Sequence, residues 1–118
     1  AAKVKQVVAD WITRFGDDLN AIFLADDSAQ ATGAVDAVKE SGRTDIKLVA
    51  AGNSKAGQDM VKSGDLLSIN YQSAEGDAGL AARTIAAWFN GKEVLPVGYL
   101  TTDMITKENV ESFYPTQW

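Results

Sequence analysis

Ile22-Phe23-Leu24-Ala25 runs straight into Asp26-Asp27 and then into a helix-like stretch, and the reading of this junction decides the fold. The pattern returns twice. Ile46-Lys47-Leu48-Val49-Ala50-Ala51 meets Gly52-Asn53, and Leu66-Leu67-Ser68-Ile69-Asn70-Tyr71 meets Gln72. Short apolar runs bounded by turn signals and separated by helical patterns read as buried parallel strands. Ligands of such sheets bind just beyond the carboxyl ends of the strands, so the polar groups that close these runs mark the edge to search for function.

Working outward, the chain alternates helix and strand. Val4, Val7, Val8, Trp11, Ile12 and Phe15 fall on one helical face that Gly16 ends. Strand 21–25 is followed by a helix that Ser28 or Asp27 can cap, with Ala31, Ala34, Val35 and Val38 inward and a stop at Ser41-Gly42. Strand 46–51 leads to a helix over 54–62 closed by Gly64. Strand 66–71 leads to a helix over about 75–90, with Leu80, Ala81, Ile85, Trp88 and Phe89 inward and Gly91 as its stop. A fourth extended segment spans 94–100, with Pro96 marking it as edge or irregular. Thr106 caps a last short helix that passes through Val110 and Phe113 and stops before Pro115. Strands alternating with helices of this length predict an α/β fold, three-layered, with a mostly parallel sheet and right-handed crossovers. No repeat, low-complexity segment or linker interrupts it, so 118 residues read as one domain.

Composition narrows the chemistry. Sixteen acidic residues against eleven scattered basic ones give a net charge of −5, which argues against a nucleic-acid partner. There is no cysteine, which excludes disulfides and thiol chemistry without fixing the compartment. There is no histidine either, which removes imidazole metal sites, Ser-His and Cys-His catalysis and the commonest general base. No apolar stretch approaches the roughly 20 residues of a membrane-spanning helix. Ala1-Ala2-Lys3 opens directly on a helical pattern, as a mature, processed or truncated chain would, and truncation is the expectation.

Among the strand ends, Asp26-Asp27 is the sharpest feature, because a helix N-terminus favours negative charge there. One carboxylate could accept hydrogen bonds from sugar hydroxyls, or two could hold a hard cation. The structural alternative has Asp27 capping the helix and Asp26 facing water. Gly52-Asn53 reads either as a turn with a left-handed Asn or as a cleft wall offering an amide. Gln72 could donate to one hydroxyl and accept from another, or simply bond a loop. No Gly-rich fingerprint follows a strand, so a dinucleotide site is unsupported. Trp11, Trp88 and Phe89 read as core rather than as a stacking platform, the terminal Trp118 as an exposed indole, and Lys107, Glu108 and Glu111 as a solvated helix face.

Ile22 to Asp27, followed by Gly33-Ala34-Val35-Asp36-Ala37-Val38-Lys39-Glu40-Ser41-Gly42, resembles the type I periplasmic sugar-binding proteins. The match continues through Ile46 to Asn53, Met60-Val61 and Ser63-Gly64, Tyr71-Gln72, Phe89 to Val94 and Ile105 to Val110. It covers essentially the whole chain in order, and the succession of motifs carries it rather than any single one. The resemblance implies the C-terminal part of a two-lobed, hinged protein, entered midway through its second lobe, with Gln72 near a hinge crossing and the following helix in the other lobe. It further implies binding without catalysis: a sugar or polyol bridges the lobes, and the closed form is read by the membrane permease of an ATP-driven importer. The location implied is periplasmic or extracellular, lipid-anchored or free. Asp26 stands where the family commonly places an Asn that bonds sugar hydroxyls, and Gln72 matches a hinge-proximal residue of the same role. Gly52 stands where the family often has Asp, with Asn53 as a substitute one residue on. The expected ligand-binding set is Asp26, Gln72, Asn53 and Asp27, with no catalytic residue, metal or cofactor. An isolated piece would expose apolar surface and unpaired strand edges and is expected either to self-associate or to be marginally stable.

Two rival classes share parts of this pattern. The core of a sugar-responsive transcription repressor has the same fold but needs a DNA-binding segment. A phosphoacceptor signalling domain has an acidic pair after its first strand, as in Leu24-Ala25-Asp26-Asp27-Ser28, but needs an acceptor Asp where these strands end in Gly52-Asn53 and Tyr71-Gln72.

Overall fold

The computed structural model describes residues 1–116. Its helices are α1 (Ala2–Phe15), α2 (Ala29–Ser41), α3 (Lys55–Ser63) and α4 (Ala74–Phe89), and its strands are β1 (Ala21–Leu24), β2 (Lys47–Gly52), β3 (Ser68–Tyr71) and β4 (Met104–Ile105). The sheet has the order β1-β2-β3-β4. The first three strands are parallel, with Leu24 level with Ala50 and Ala50 level with Ile69, while β4 runs antiparallel to β3. The α/β class and the mostly parallel sheet are those expected.

Alternation along the strands sorts their two faces. Ile22, Leu24, Leu48, Ala50 and Ile69 are buried in one apolar cluster with Val8 of α1, Ala31, Ala34 and Val35 of α2, and Val61 of α3. Each buried Val, Leu or Ile side chain among them contributes about 1.5–3 kcal/mol on leaving water. On the alternate face Phe23 is 66% exposed, Asn70 is exposed, and Val49 and Ala51 are half-buried. Of the three layers expected, the described residues supply the sheet and one helical layer.

The second half departs from the expected pattern in three ways. Residues 94–100 pair with no strand; the fourth strand is the two-residue β4, which lies where Ile105 can bury against Ile69. Pro96 lacks an N–H, and no neighbouring strand accompanies its segment. The last helix is a short 3-10 turn, Val110–Phe113, and the side chain that organises its entry is that of Asn109 rather than Thr106. Asn109 Oδ1 accepts from the Thr106 N–H at 2.7 Å, and its amide donates to the Met104 carbonyl at 2.9 Å.

The largest departure concerns α4. It forms where expected, with Ser73 Oγ accepting from the Gly76 N–H at 3.0 Å and Glu75 and Asp77 in its first turn, yet none of its residues is buried. Ile85, Trp88 and Phe89 are 56%, 62% and 78% exposed, and Trp11 of α1 is 41% exposed, so the expected core roles of Trp11, Trp88 and Phe89 are overturned. An apolar helical stripe is buried only where a partner surface exists, and α4 leaves the sheet without one. The radius of gyration is accordingly 17.2 Å, against about 13–14 Å for a compact chain of this length. Trp118 lies outside the described residues.

Candidate functional site

The carboxyl ends of β1, β2 and β3 lie side by side, because the crossovers through α2 and α3 return each strand parallel to the last. Neighbouring strands are about 4.8 Å apart, which places the ends of β1 and β3 roughly 10 Å from each other. Gln72 follows β3, and its backbone N–H donates to the Gly52 carbonyl at 3.0 Å, tying the end of β3 to the end of β2. The Gln72 side chain is exposed at this edge.

Asp26 is half-buried at the end of β1, and its side chain caps α2. Oδ2 accepts from the Gln30 N–H at 2.9 Å and Oδ1 from the Ser28 hydroxyl at 2.7 Å. Ser28 makes no side-chain cap bond of its own, so the cap expected of Ser28 or Asp27 belongs to Asp26. Burial by itself would raise the Asp26 carboxyl, but the bonds from Gln30 and Ser28 outweigh it and hold it below the usual carboxylate range. Asp26 is therefore ionised at neutral pH. As an acceptor-only group with lone pairs to spare, it can take further hydrogen bonds from hydroxyl donors.

Asp27 lies in the opposite environment. It is 1% exposed, its Oδ2 accepts from the Ser54 N–H at 2.8 Å, and Ser54 Oγ caps α3 by accepting from the Gly57 N–H at 3.0 Å. Burial pushes its carboxyl up, against the lowering effect of the Ser54 bonds. Its carboxylate occupies a slot that two glycines leave open. A Cβ on Gly52 would lie 2.2 Å from Asp27 Oδ1, and one on Gly57 would lie 2.2 Å from Oδ2. Gly52 also has φ +148°, a backbone conformation that side-chain-bearing residues rarely adopt.

Asn53 is 2% exposed, and its Oδ1 accepts from the amide of Gln58, which is itself fully buried and also donates to the Phe113 carbonyl at 3.4 Å. The residues named by the sequence thus separate into two pairs. Asp26 and Gln72 reach the surface of the edge. Asp27 and Asn53, both expected as ligand contacts, lie behind it, bonded to other parts of the protein and buried. Among the described residues no group of three or more acidic, His or Cys side chains is placed to hold a metal.

Sequence reasoning missed Gln58 and the role of Gly57. Gln58 falls on a polar-looking stretch of α3, and nothing local distinguishes it from a surface glutamine. The Ser-x-x-Gly spacing of Ser54 and Gly57 was visible, but a helical glycine carries no hint of the side chain that fills the space beside it.

Comparison with known proteins places this edge in a family context. No protein-family model matches the chain. A xylitol-binding protein of Mycolicibacterium smegmatis is 33% identical over 104 residues, which cover 86% of this chain and 29% of that protein. A solute-binding protein of an ABC transporter from Agrobacterium vitis, solved with bound allitol, superimposes with a TM-score of 0.78 at 20% identity, covering 93% of this chain and 39% of that one. The periplasmic binding component of an arabinose ABC transporter from Shewanella gives 0.75 at 27% identity, covering 96% and 38%. The resemblance to ABC sugar-binding periplasmic proteins is thereby borne out in sequence and in fold. The chain spans less than a third of the curated relative and about two-fifths of each of these two structures, and its sheet is a partial lobe of theirs.

Proposed function

We propose that this chain supplies one wall of a binding cleft for a polyhydroxylated ligand, a sugar or polyol, in the solute-binding component of an ATP-driven importer. The observation that carries the reading is the placement of Asp26 and Gln72 at the ends of β1 and β3, on one edge of a parallel sheet with β2 between them. One is an ionised acceptor, the other an amide that both donates and accepts. Together they offer the mixed hydrogen-bonding pattern that adjacent hydroxyls need, and the xylitol- and allitol-binding relatives make polyols the first ligands to try. The acceptors and donors that the edge offers to hydroxyls support a binding role, as do relatives that are themselves named as binding proteins.

In this reading the opposite wall comes from outside these residues, α4 belongs to the neighbouring lobe, and Gln72 sits at the crossing between the two. Closure of the lobes around the ligand creates the form that a membrane permease would read, in the periplasm or outside the cell. Asp27 and Asn53, being buried, support the wall and do not touch the ligand.

The test is isothermal titration, with xylitol, allitol and arabinose, of the intact protein that carries both walls of the cleft. Saturable binding of at least one is expected, and Gln72→Ala should weaken it about tenfold or more, as loss of a hydrogen-bonding side chain in a desolvated site does. Absence of heat with all three ligands would count decisively against the reading.

A further inference from the structure

We propose that Asp27 is a positioning residue: its buried carboxylate, seated between the Cα atoms of Gly52 and Gly57 and bonded to the Ser54 N–H, holds the three strand ends at the spacing that lets Asp26 and Gln72 meet one ligand. The inference rests on the cleft-wall reading above and adds to it the device that sets the wall's geometry.

The argument starts from connectivity. The ends of β1 and β2 are separate loops, and beyond Leu24 and Ala50 the strand ladder no longer joins them. Asp27 restores the connection through the side chain. It bridges from the β1–α2 loop to the N-cap of α3 at 2.8 Å, and the Ser54 hydroxyl in turn approaches the Asp27 carbonyl at 3.4 Å. The bridge has no slack on either side. Both glycines approach so closely that a single methyl on either would overlap the carboxylate. A side chain in such a slot transmits position, because packed interiors yield little.

The bridge then reaches both proposed ligand contacts. Asp26 precedes Asp27 in the chain, so fixing Asp27 fixes where the Asp26 carboxylate meets the Gln30 N–H. Gly52, held against the Asp27 carboxylate, accepts the Gln72 N–H through its own carbonyl. One buried side chain therefore sets both arms of the wall. Its burial also explains why an acidic pair stands at the end of β1: the first carboxylate faces the edge, and the second fastens it.

The experiment compares Asp27→Ala with Asp27→Asn, which keeps an acceptor of the same shape, and with Val38→Ala, a core truncation in α2 remote from the edge. Amide hydrogen exchange at Gln30 and Gln72 is measured in each full-length variant, alongside xylitol affinity. Asp27→Ala should accelerate exchange at both amides at least tenfold more than Val38→Ala does, and weaken xylitol binding at least tenfold. Asp27→Asn should stay within threefold of the wild type on both readouts. Equal acceleration in Asp27→Ala and Val38→Ala would overturn the proposal, since mere loss of stability would then account for it. Should Asp27→Ala not fold, Asp27→Asn still decides: tenfold faster exchange at Gln30 and Gln72 with the shape preserved rules out positioning by shape and hydrogen bonding. The exchange readout needs no ligand, so a wild type that ignores xylitol refutes the cleft-wall reading while leaving the bridge to be judged separately.

Discussion

Helices α2 and α4 are of similar length and both carry small and aliphatic residues, yet α2 buries Ala31, Gly33, Ala34, Val35, Ala37 and Val38 while α4 buries nothing. By sequence α4 is the more apolar of the two, with Leu80, Ile85, Trp88 and Phe89 among its residues. The difference lies in what each helix meets. α2 is the crossover between adjacent parallel strands and must lie on the sheet, against α1 and β2. α4 follows the strand end at Gln72 and leads away, and the segment after it returns to the sheet only at residues 102–105. There Thr102 donates to the Tyr71 carbonyl at 2.6 Å and Met104 joins the ladder. The comparison teaches that periodicity states which face of a helix can be buried, whereas topology states whether it is.

The largest effect expected from this contrast is a pair of truncations. Ile69→Ala, at a fully buried position in the sheet, should cost about 2–5 kcal/mol in urea unfolding, whereas Ile85→Ala in α4 should change stability by no more than about 0.5 kcal/mol. An equal loss at both positions would mean that α4 is packed after all.

Glycine-to-alanine changes in the two regions should carry opposite signs. Gly57→Ala places a methyl against the Asp27 carboxylate and should destabilise by about 1–3 kcal/mol. Gly79→Ala in α4 meets only the mobile tip of Arg83, at 3.1 Å, and should gain up to about 1 kcal/mol of helix stability, seen as increased helical circular dichroism. Ser73→Ala, which removes the N-cap of α4, should cost that helix about 1 kcal/mol. Faster amide exchange over residues 74–89 with an unchanged urea midpoint for the sheet would mark the effect as local.

The smallest effect separates the carboxylates of the sheet unit by pH. The Arg43 guanidinium, bonded to both oxygens of Asp45 at 2.5 and 2.7 Å, holds that carboxyl at about 2. Its folded value lies below its unfolded one. The stability it contributes is thus present above the unfolded value and is lost as the pH falls from about 4 towards 2. Asp26 contributes with the same sign. Asp27 has the opposite sign, because burial raises its folded value: its contribution is fully present at low pH and is lost as the pH rises through that value. Unfolding midpoints measured between pH 5 and 2 should fall with acid, less steeply in Asp45→Asn, while Asp27→Asn should leave the acid limb at least as steep as in the wild type.

Much of the local structure was legible. The apolar runs ending at Asp26, Gly52 and Gln72 located β1 to β3 because buried parallel strands need short continuous hydrophobic segments. Ser54 and Gly64 bounded α3 because helix ends need an acceptor at the start and a permissive backbone at the stop. The edge carrying the proposed site was legible for the same reason, since parallel strands return their carboxyl ends to one side. β4 was not legible, because two residues carry no periodicity and Ile105 is defined only by the Ile69 it packs against.

By itself, the sequence determined the order of elements, the parallel sheet and the two polar positions, Asp26 and Gln72, that face outward at its edge. These follow from spacing along the chain, which local sterics and hydrogen bonding translate directly into helix and strand. Only the tertiary structure decided that Asp27 and Asn53 turn inward, that Asp26 rather than Ser28 caps α2, and that the most apolar helix lies uncovered. Each of those outcomes depends on what stands opposite a side chain, and the groups opposite Asp27 and Asn53, the Ser54 N–H and the Gln58 amide, reach them only through the folding of other segments.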